Sequence, residues 1–379
     1  MLKTFKYRLY PTRKQIQAID EMLETHRRIY NNALAERKDS WEESQESVSY
    51  GNQSASYKIA RETNEYYQRT NFSSVQRTLK RLDKAFSAFF RRVKSGEAKA
   101  GYPRFKGRNR FDSIEFTYSD GVKTRDNGKL YVQHIGEVKV KWHRPVVGNI
   151  KTTIIQRKAR RYYVCFSAES EAQPLEPTGA VVGLDMGISN LVTTSESEFF
   201  EPPKYLRQSE HKLRRQQRKV ARRKKGSNRR HKAVRVLQRT HEHIANQRKD
   251  TAHKIARKLV NEYDIIAVED LNTIGLLKNH HLAKSIADAA WNTFILILTS
   301  KAEYAGRRVV KVDPRYTSQI CSQCGEIVKK ALSVRVHSCP HCNLVLDRDV
   351  NAAVNILNKA IARTGHSGAN VEVVNSCVF

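Results

Sequence analysis

Two pairs of cysteines near the C-terminal end have the spacing of metal ligands. Cys321 and Cys324 form one C-x-x-C pair, and Cys339 and Cys342 form a second pair after fourteen intervening residues. Zinc takes four thiolates at the corners of a tetrahedron, and two tight turns of this kind supply them. Because four thiolates leave no open coordination position, the pattern predicts a structural zinc site and not a catalytic one.

Three acidic residues lie where a catalytic cation could bind. Asp185 and Glu269 each end a short apolar stretch typical of a buried strand, and Asp349 begins a predicted helix. A buried carboxylate is costly unless it faces a cation or solvent. Three of them brought together could bind two Mg²⁺ ions, as in sites that hydrolyse phosphodiesters. The alternative for any single acid is a turn or helix-cap residue.

The charge of the chain indicates a polyanionic partner. Among 379 residues, 69 Lys and Arg outnumber 38 Asp and Glu, so the formal net charge is +31. Nucleic acid is the default partner of such a protein, and an anionic membrane surface is the alternative. No apolar run approaches the ~20 residues of a spanning helix. Four of six cysteines have metal spacing, which favours a reducing cytoplasm and no disulfides.

The first part of the chain reads as a strand followed by helices. Residues 3–10 alternate as in a strand, and Thr12 and Gln15 have the spacing of a capping box at a helix start. The polar, Ser-rich residues 36–57 predict a loop. Apolar residues over 75–93 step by three and four, which predicts an amphipathic helix.

The middle of the chain reads as β-structure. Glycines and a proline break the helical pattern after residue 95, and Asp126, Asn127 and Gly128 predict a hairpin turn. Basic and aromatic residues alternate in the strands up to residue 170. They indicate either a small barrel or sheet that contacts nucleic acid, or an ordinary β core with solvated charges.

The last part alternates buried strands with helices. Residues 171–178 predict a linker, and residues 207–239 hold fifteen Lys or Arg and one acid, which predicts a basic helical hairpin. The other predicted elements are strands at 180–185, 191–194, 263–270 and 308–312 and helices at 283–305 and about 349–362.

Several segments together carry a family resemblance. Residues 183–190 (GLDMGISN), 268–272 (VEDLN) and 347–356 (DRDVNAAVNI) look like the three segments of a RuvC nuclease domain. With the cysteine pairs between the second and third, and with 7–11 (YRLYP) and 101–106 (GYPRFK) upstream, the chain resembles the transposon-encoded TnpB family. Those proteins are similar to the compact ancestors of type V CRISPR effectors, and the resemblance covers residues 1–364.

The resemblance implies roles for the three acids. Asp185, Glu269 and Asp349 would form the catalytic triad and bind two Mg²⁺ ions. Asp270 and Asp347 are the nearest alternatives, and Asp349 is preferred because it directly precedes Val-Asn-Ala-Ala. One zinc ion would be bound by the four cysteines.

The fold class implied is α+β with several domains. An RNase H-like (RuvC) domain with a four-cysteine zinc ribbon insert would accompany a small β-barrel, or wedge, domain with a helical recognition insertion. The predicted bounds are 1–10 and 96–172 for the barrel, 11–95 for the helical insertion, 173–313 and 346–364 for the nuclease domain, 314–345 for the ribbon and 365–379 for a flexible tail.

The function implied is RNA-guided DNA cleavage for an insertion sequence. The partners would be a guide RNA from the transposon end and double-stranded target DNA beside a short motif, with one RNA bound per monomer. Nucleic-acid contacts are expected from polar and basic side chains in three groups: Gln76, Arg77 and Lys80; Arg104 and Lys106; and Arg222, Arg223, Lys224 and Lys225. For each group the alternative is a solvated charged face.

Three other function classes fit parts of the pattern. An RNA-guided repressor would bind DNA without cutting it, but it would not need the three acids. A three-acid transposase would join strands, but no DNA-binding helix-turn-helix is expected before the catalytic region. A zinc-ribbon RNA-binding protein without activity is the simplest alternative.

Overall fold

The computed structural model describes residues 1–97, 99–108, 110–276, 283–331 and 334–364. The chain divides into two compact units, Met1–Glu171 and Ala172–Phe379. The predicted flexible tail, 365–379, lies outside the described residues. Within the described ranges, no helix combines the length and the apolar character needed to cross a membrane.

The first unit combines a helical group with a β-sheet. Its elements in chain order are β1 (Leu2–Tyr10), α1 (Arg13–Ser44), α2 (Tyr50–Thr63), α3 (Glu65–Gln68), α4 (Phe72–Lys94), β2 (Ser113–Thr117), β3 (Val122–Thr124), β4 (Lys129–Val132), β5 (Gly136–Lys141), β6 (Asn149–Lys158) and β7 (Arg161–Glu169).

The start of α1 confirms the predicted capping box. The Thr12 hydroxyl accepts from the Gln15 N–H at 3.3 Å, and the Gln15 side-chain oxygen accepts from the Thr12 N–H at 3.0 Å. The predicted loop at 36–57 is wrong, because α1 continues to Ser44 and α2 begins at Tyr50. A contact with α1 stabilises the polar helix α2, because the buried Gln53 amide of α2 donates to the Ala33 carbonyl of α1 at 2.8 Å.

The sheet of the first unit is antiparallel, with strand order β2-β6-β7-β1-β5-β4-β3. Its end strands β2 and β3 are consecutive in the chain and are joined by residues 118–121, so the sheet curls back on itself. The predicted hairpin is confirmed, with β3 and β4 paired across a turn that contains Gly128. Phe5, Tyr7 and Leu9 of β1 point inward and are buried in one core together with side chains of α1 and α4.

The second unit combines a mixed sheet with helices. Its elements in chain order are β8 (Val181–Asp185), β9 (Val192–Thr194), β10 (Phe199–Phe200), α5 (Tyr205–Ala221), α6 (Asn228–Glu262), β11 (Ile265–Glu269), α7 (Thr273–Leu276), α8 (Ala283–Ala289), α9 (Trp291–Tyr304), β12 (Arg308–Val312), β13 (Val336–Ser338), β14 (Val345–Asp347) and α10 (Arg348–Thr364).

The second sheet has five strands in the order β10-β9-β8-β11-β12. Helices pack on both of its faces. Strands β8, β11 and β12 are parallel, whereas β9 and β10 are antiparallel to their neighbours. Val182, Leu184 and Val268 pack with side chains of α6 and α9, while Ile265 and Val310 pack with α10. Both faces are apolar, as the continuous hydrophobic runs of these strands predict.

Two helical predictions in this unit have different outcomes. The basic hairpin is confirmed as α5 and α6, and the Ser227 hydroxyl caps α6 by accepting from the Arg230 N–H. The single helix predicted at 283–305 is wrong, because it is interrupted between α8 and α9. Ala290 has a left-handed backbone with φ of 55°, which turns the chain at that point.

Candidate nuclease centre and four-cysteine site

Two of the three predicted acids are the last residues of neighbouring parallel strands, at the same edge of the sheet. Strands β8 and β11 pair in parallel with Leu184 opposite Val268, so Asp185 and Glu269 follow side by side. The carboxyl ends of parallel strands are where α/β sheets place ligand-binding side chains. The sheet therefore brings together two acids that are far apart in the sequence.

A glycine in β8 allows the third acid to approach. A Cβ atom built on Gly183 would lie 2.0 Å from the Ala353 carbonyl oxygen and 2.8 Å from the Leu357 nitrogen. Helix α10 thus crosses β8 in direct backbone contact, which only glycine permits. Asp349 lies in the first turn of this helix and is buried. The crossing positions Asp349 close to Asp185.

The two alternative acids have other roles. Asp347 caps α10, because one of its carboxylate oxygens accepts from the N–H groups of Asp349 at 2.8 Å and Val350 at 3.2 Å. Asp270 is exposed and forms an ion pair with Lys311 at 3.1 Å. Neither acid needs a cation to account for its position, which favours Asp349 and Glu269 as the ligands.

Burial raises the pKa of two of the acids, and neighbouring carboxylates add to this effect at Asp185. Burial, followed by the negative charges of Glu269 and Asp349, raises the pKa of Asp185 to about 8. Burial also raises the pKa of Glu269, although a hydrogen bond from Thr317 and the charge of Lys359 oppose this. Carboxylate oxygens are the ligands that Mg²⁺ prefers in proteins. The chemistry of this donor set suits a divalent cation, although its three carboxylates are not among the compact metal-ligand groups of the described residues.

Two arginines contact the third acid. The Arg348 guanidinium donates to one oxygen of Asp349 at 2.9 Å and 3.1 Å, and Arg335 lies 3.5 Å from the other oxygen. Arg335 also donates to the Ser189 hydroxyl at 2.7 Å, in the turn after β8. Two arginines therefore balance the negative charge of Asp349. Asp185 instead lies mainly near other acids.

The four cysteines converge as their spacing predicts. Their sulfur atoms all lie within 4.8 Å of one another, and this is the only such His, Cys, Asp or Glu group of three or more among the described residues. Cys321 and Cys342 are 3.5 Å apart between sulfur atoms, and Cys324 and Cys339 are 3.6 Å apart. Gly325 has a φ of 80°, which suits the tight turn after the first pair. The donor set fits one zinc ion.

Backbone N–H groups stabilise a thiolate in this cluster. Burial opposes ionisation of Cys339, but hydrogen bonds from the N–H groups of His341 and Cys342 and from neighbouring thiols lower its pKa to about 6. Zinc binds the thiolate form of cysteine. The Leu344 N–H favours the thiolate of Cys342, but burial and the neighbouring cysteines raise the pKa of Cys342 to about 12. The second turn therefore favours the ligand form of Cys339 alone.

The residues predicted to contact nucleic acid differ in how many already have partners within the protein. On α4, Gln76 lies 3.4 Å from the Ser54 hydroxyl, Arg77 lies 3.6 Å from Glu115, and Lys80 lies 4.6 Å from the centre of the Tyr50 ring. These three side chains therefore already have partners inside the first unit.

The two remaining groups differ in exposure. Arg104 is exposed, whereas Lys106 is half-buried and its backbone binds the Asn31 side chain. At the tip of the basic hairpin, Arg222, Lys224 and Lys225 are exposed, and Arg223 contacts the Arg229 carbonyl. The hairpin tip is thus the most accessible of the predicted contacts.

Several polar residues around the acids were not singled out by sequence patterns. Thr317 contacts Glu269, and Asn351 and Asn355 bind the backbone of the segment that leads into the first cysteine pair. The available signal was the spacing of the two asparagines, which places them on one face of a helix that also buries apolar residues. Buried amides need hydrogen-bond partners.

Comparison with known proteins gives three matching family models. OrfB_IS605, described as a probable transposase, matches residues 163–280, and the TNB domain of Cas12f1-like proteins matches residues 291–356. A model described as a helix-turn-helix domain matches residues 1–46. In this structure those residues form β1 and the single helix α1, so the geometry there is a strand and one helix.

Two relatives that match this chain over nearly their whole length are named as RNA-guided DNA endonucleases. A protein so named from Streptomyces pristinaespiralis is 37% identical over 369 residues, which cover 95% of this chain and 90% of the relative. InsQ of Escherichia coli K12, also named as an RNA-guided DNA endonuclease, is 31% identical and covers 94% and 92% of the two chains.

A solved structure extends the likeness to the fold. The mini-RNA-guided endonuclease Cas_phi3 matches with a TM-score of 0.53 at 10% identity, over 95% of this chain and 92% of that chain. The chain belongs to the TnpB family, which is related to the type V CRISPR effectors.

Proposed function

We propose that the chain is an RNA-guided DNA endonuclease that hydrolyses phosphodiester bonds at Asp185, Glu269 and Asp349. The observation that carries the proposal is the convergence of two parallel strand ends with the first turn of α10. Near-full-length relatives named as RNA-guided DNA endonucleases support the same activity.

Asp185, Glu269 and Asp349 would hold two Mg²⁺ ions. Bound Mg²⁺ would activate water and neutralise the negative charge that develops on the phosphate. Asp185 is the central acid, because the charges of both others act on it. Arg335 and Arg348 restrain Asp349 near it.

The rest of the chain would bind RNA and DNA. A guide RNA from the transposon end would pair with the target strand, while the protein would read a short motif beside the target. In this proposal the β-sheet and helices of 1–172 hold RNA and duplex, and the zinc-bound segment 314–345 supports nucleic acid beside the acids. The exposed hairpin tip with Arg222, Lys224 and Lys225 would contact backbone phosphates.

The test is cleavage by the chain copurified with its co-expressed transposon-end RNA. A plasmid library with a randomised motif beside the target is incubated with the complex and Mg²⁺. Asp185→Ala should reduce cleavage on the order of 10³-fold or more, while guide-dependent DNA binding stays nearly unchanged.

Asp270→Ala is the matched control, because this acid is adjacent to Glu269 but forms a surface ion pair with Lys311. It should cut like the unmodified chain. If Asp185→Ala also lost binding, the catalytic assignment would be wrong. If the unmodified chain bound its target without cutting, the repressor class would replace the nuclease.

A further inference from the structure

A buried threonine holds one oxygen of Glu269. Thr317 follows β12, four residues before the first cysteine, and is 3% exposed. Its hydroxyl oxygen lies 2.6 Å from Glu269 Oε1 and 3.0 Å from the Pro314 carbonyl oxygen. A hydroxyl has a single proton, and a carboxylate attracts it more strongly than a neutral carbonyl does. The ionised form of Glu269 therefore receives the shorter hydrogen bond.

The backbone that carries Thr317 is attached to α10. The Asn355 amide donates to the carbonyl oxygens of Thr317 at 2.8 Å and Ile320 at 2.7 Å. The Asn351 amide donates to the Ile320 carbonyl at 2.8 Å, and its oxygen accepts from the Ser322 N–H at 3.0 Å. Both asparagines are buried, so water does not compete for these bonds.

These contacts connect the acids to the cysteine site. Helix α10 carries Asp349 two residues before Asn351, and the segment 317–322 contains both Thr317 and the zinc ligand Cys321. A shift of this segment would move the Thr317 hydroxyl relative to Glu269. The orientation of Glu269 therefore depends on residues that belong to neither strand of the acid pair.

We propose that Thr317 is a positioning residue, which fixes the Glu269 carboxylate so that its second oxygen is presented to the divalent cation. The proposal rests on the proposed nuclease function. Partners that orient a metal-binding carboxylate typically contribute a factor of 10–100 in metal affinity. Thr317→Val removes the hydroxyl at nearly constant volume, and Thr317→Ser keeps it.

The test measures Mn²⁺ binding to the zinc-loaded full chain, by the loss of the free-Mn²⁺ electron paramagnetic resonance signal. Thr317→Val should weaken Mn²⁺ binding about 10–100-fold, while Thr317→Ser should stay close to the unmodified chain. In the guide-RNA complex, Thr317→Val should raise the Mg²⁺ concentration that gives half-maximal cleavage by a similar factor, and high Mg²⁺ should restore much of the rate.

Thr240→Val is the matched control for losing a buried hydroxyl, because the Thr240 hydroxyl donates to the Val236 carbonyl within α6. It should leave Mn²⁺ affinity unchanged. If Thr317→Val bound Mn²⁺ as tightly as the unmodified chain, the positioning role would be overturned and the nuclease proposal would stand. If Asp185→Ala bound Mn²⁺ like the unmodified chain, both proposals would fail.

Discussion

The three acids differ in what stabilises their negative charge. Asp349 has two arginines, and Glu269 has a threonine hydroxyl and the more distant charge of Lys359. For Asp185, the Met186 N–H and the charge of Arg348 oppose a larger effect of burial and two neighbouring carboxylates. In the proposed site Asp185 would therefore gain most from a cation, which makes its substitution the most informative one.

The first unit also contains a buried ionisable residue, His26. His26 of α1 is fully buried, with Nδ1 2.8 Å from the Thr78 hydroxyl and Nε2 3.1 Å from the Ser74 hydroxyl on α4. Burial, and then the positive charge of Arg81, lowers the pKa of His26 to about 3. The ring therefore stays neutral in the folded protein at pH values where it is charged in the unfolded chain.

We expect His26 to make stability fall in mild acid. Because its pKa is lower in the folded state, its contribution is fully present above pH ~6.5 and is lost as the pH falls toward 3. Between pH 7 and pH 5 the unfolding free energy should drop by about 2 kcal/mol from this residue. His26→Gln should remove that part of the pH dependence in urea unfolding at the two pH values.

The exposed His241 supplies the control for this experiment. His241→Gln should keep the full pH dependence of the unmodified chain. An unchanged pH dependence in His26→Gln would show that the ring is not neutral when folded.

At the scale of elements, α10 organises the candidate site. One helix supplies Asp349, binds the segment before the first cysteine pair through Asn351 and Asn355, and packs on β8 at Gly183. Its N-terminus is fixed by the Asp347 cap. The position of α10 on the sheet therefore sets the geometry of the acids.

Gly183→Ala should disturb this packing. The added methyl group would meet the Ala353 carbonyl oxygen of α10, which is backbone and cannot rotate away. We expect a loss of about 1–3 kcal/mol in unfolding free energy, together with weaker Mn²⁺ binding, because Asp349 moves with the helix. Thermal unfolding and Mn²⁺ titration measure the two effects.

Gly51→Ala in α2 is the opposite case. Its added Cβ would have an ordinary contact, 3.5 Å from the Ser49 hydroxyl oxygen. Alanine favours a helix over glycine by up to ~1 kcal/mol, so this variant should be equally or more stable. Equal behaviour of the two variants would contradict the close crossing of α10 and β8.

The four-cysteine site makes a separate prediction. Cys321→Ser should reduce the metal content from about one zinc ion per chain to almost none and lower the thermal unfolding temperature. Elemental analysis and thermal unfolding measure both. Cys165→Ser is the control, because Cys165 lies in β7 outside the cluster, and it should keep its zinc. Normal zinc content in Cys321→Ser would refute the site.

At the scale of the whole molecule, charge and cores have separate roles. Each of the two units contains its own hydrophobic core, so neither depends on nucleic acid for its burial of apolar surface. The net charge is +31, and the excess positive side chains repel one another. This repulsion favours binding of a polyanionic partner. The exposed tip of the α5–α6 hairpin is one place where this charge is accessible.

Sequence was sufficient where a local rule governs the structure. The C-x-x-C spacing predicted the four cysteines that converge, the Thr12–Gln15 pair marked the start of α1, and apolar runs located the strands that end at Asp185 and Glu269. Such features depend on residues a few positions apart. Polar helices stabilised by distant partners were missed, as at α2, where Gln53 bonds the Ala33 carbonyl.

Tertiary structure alone decided which groups surround the acids. The contact of Thr317 with Glu269 joins residues 48 positions apart. The contact of Arg335 with Asp349 and the close approach at Gly183 likewise join segments that are apart in the sequence. Periodicity and spacing record local geometry, whereas these contacts depend on how α10 packs across the sheet.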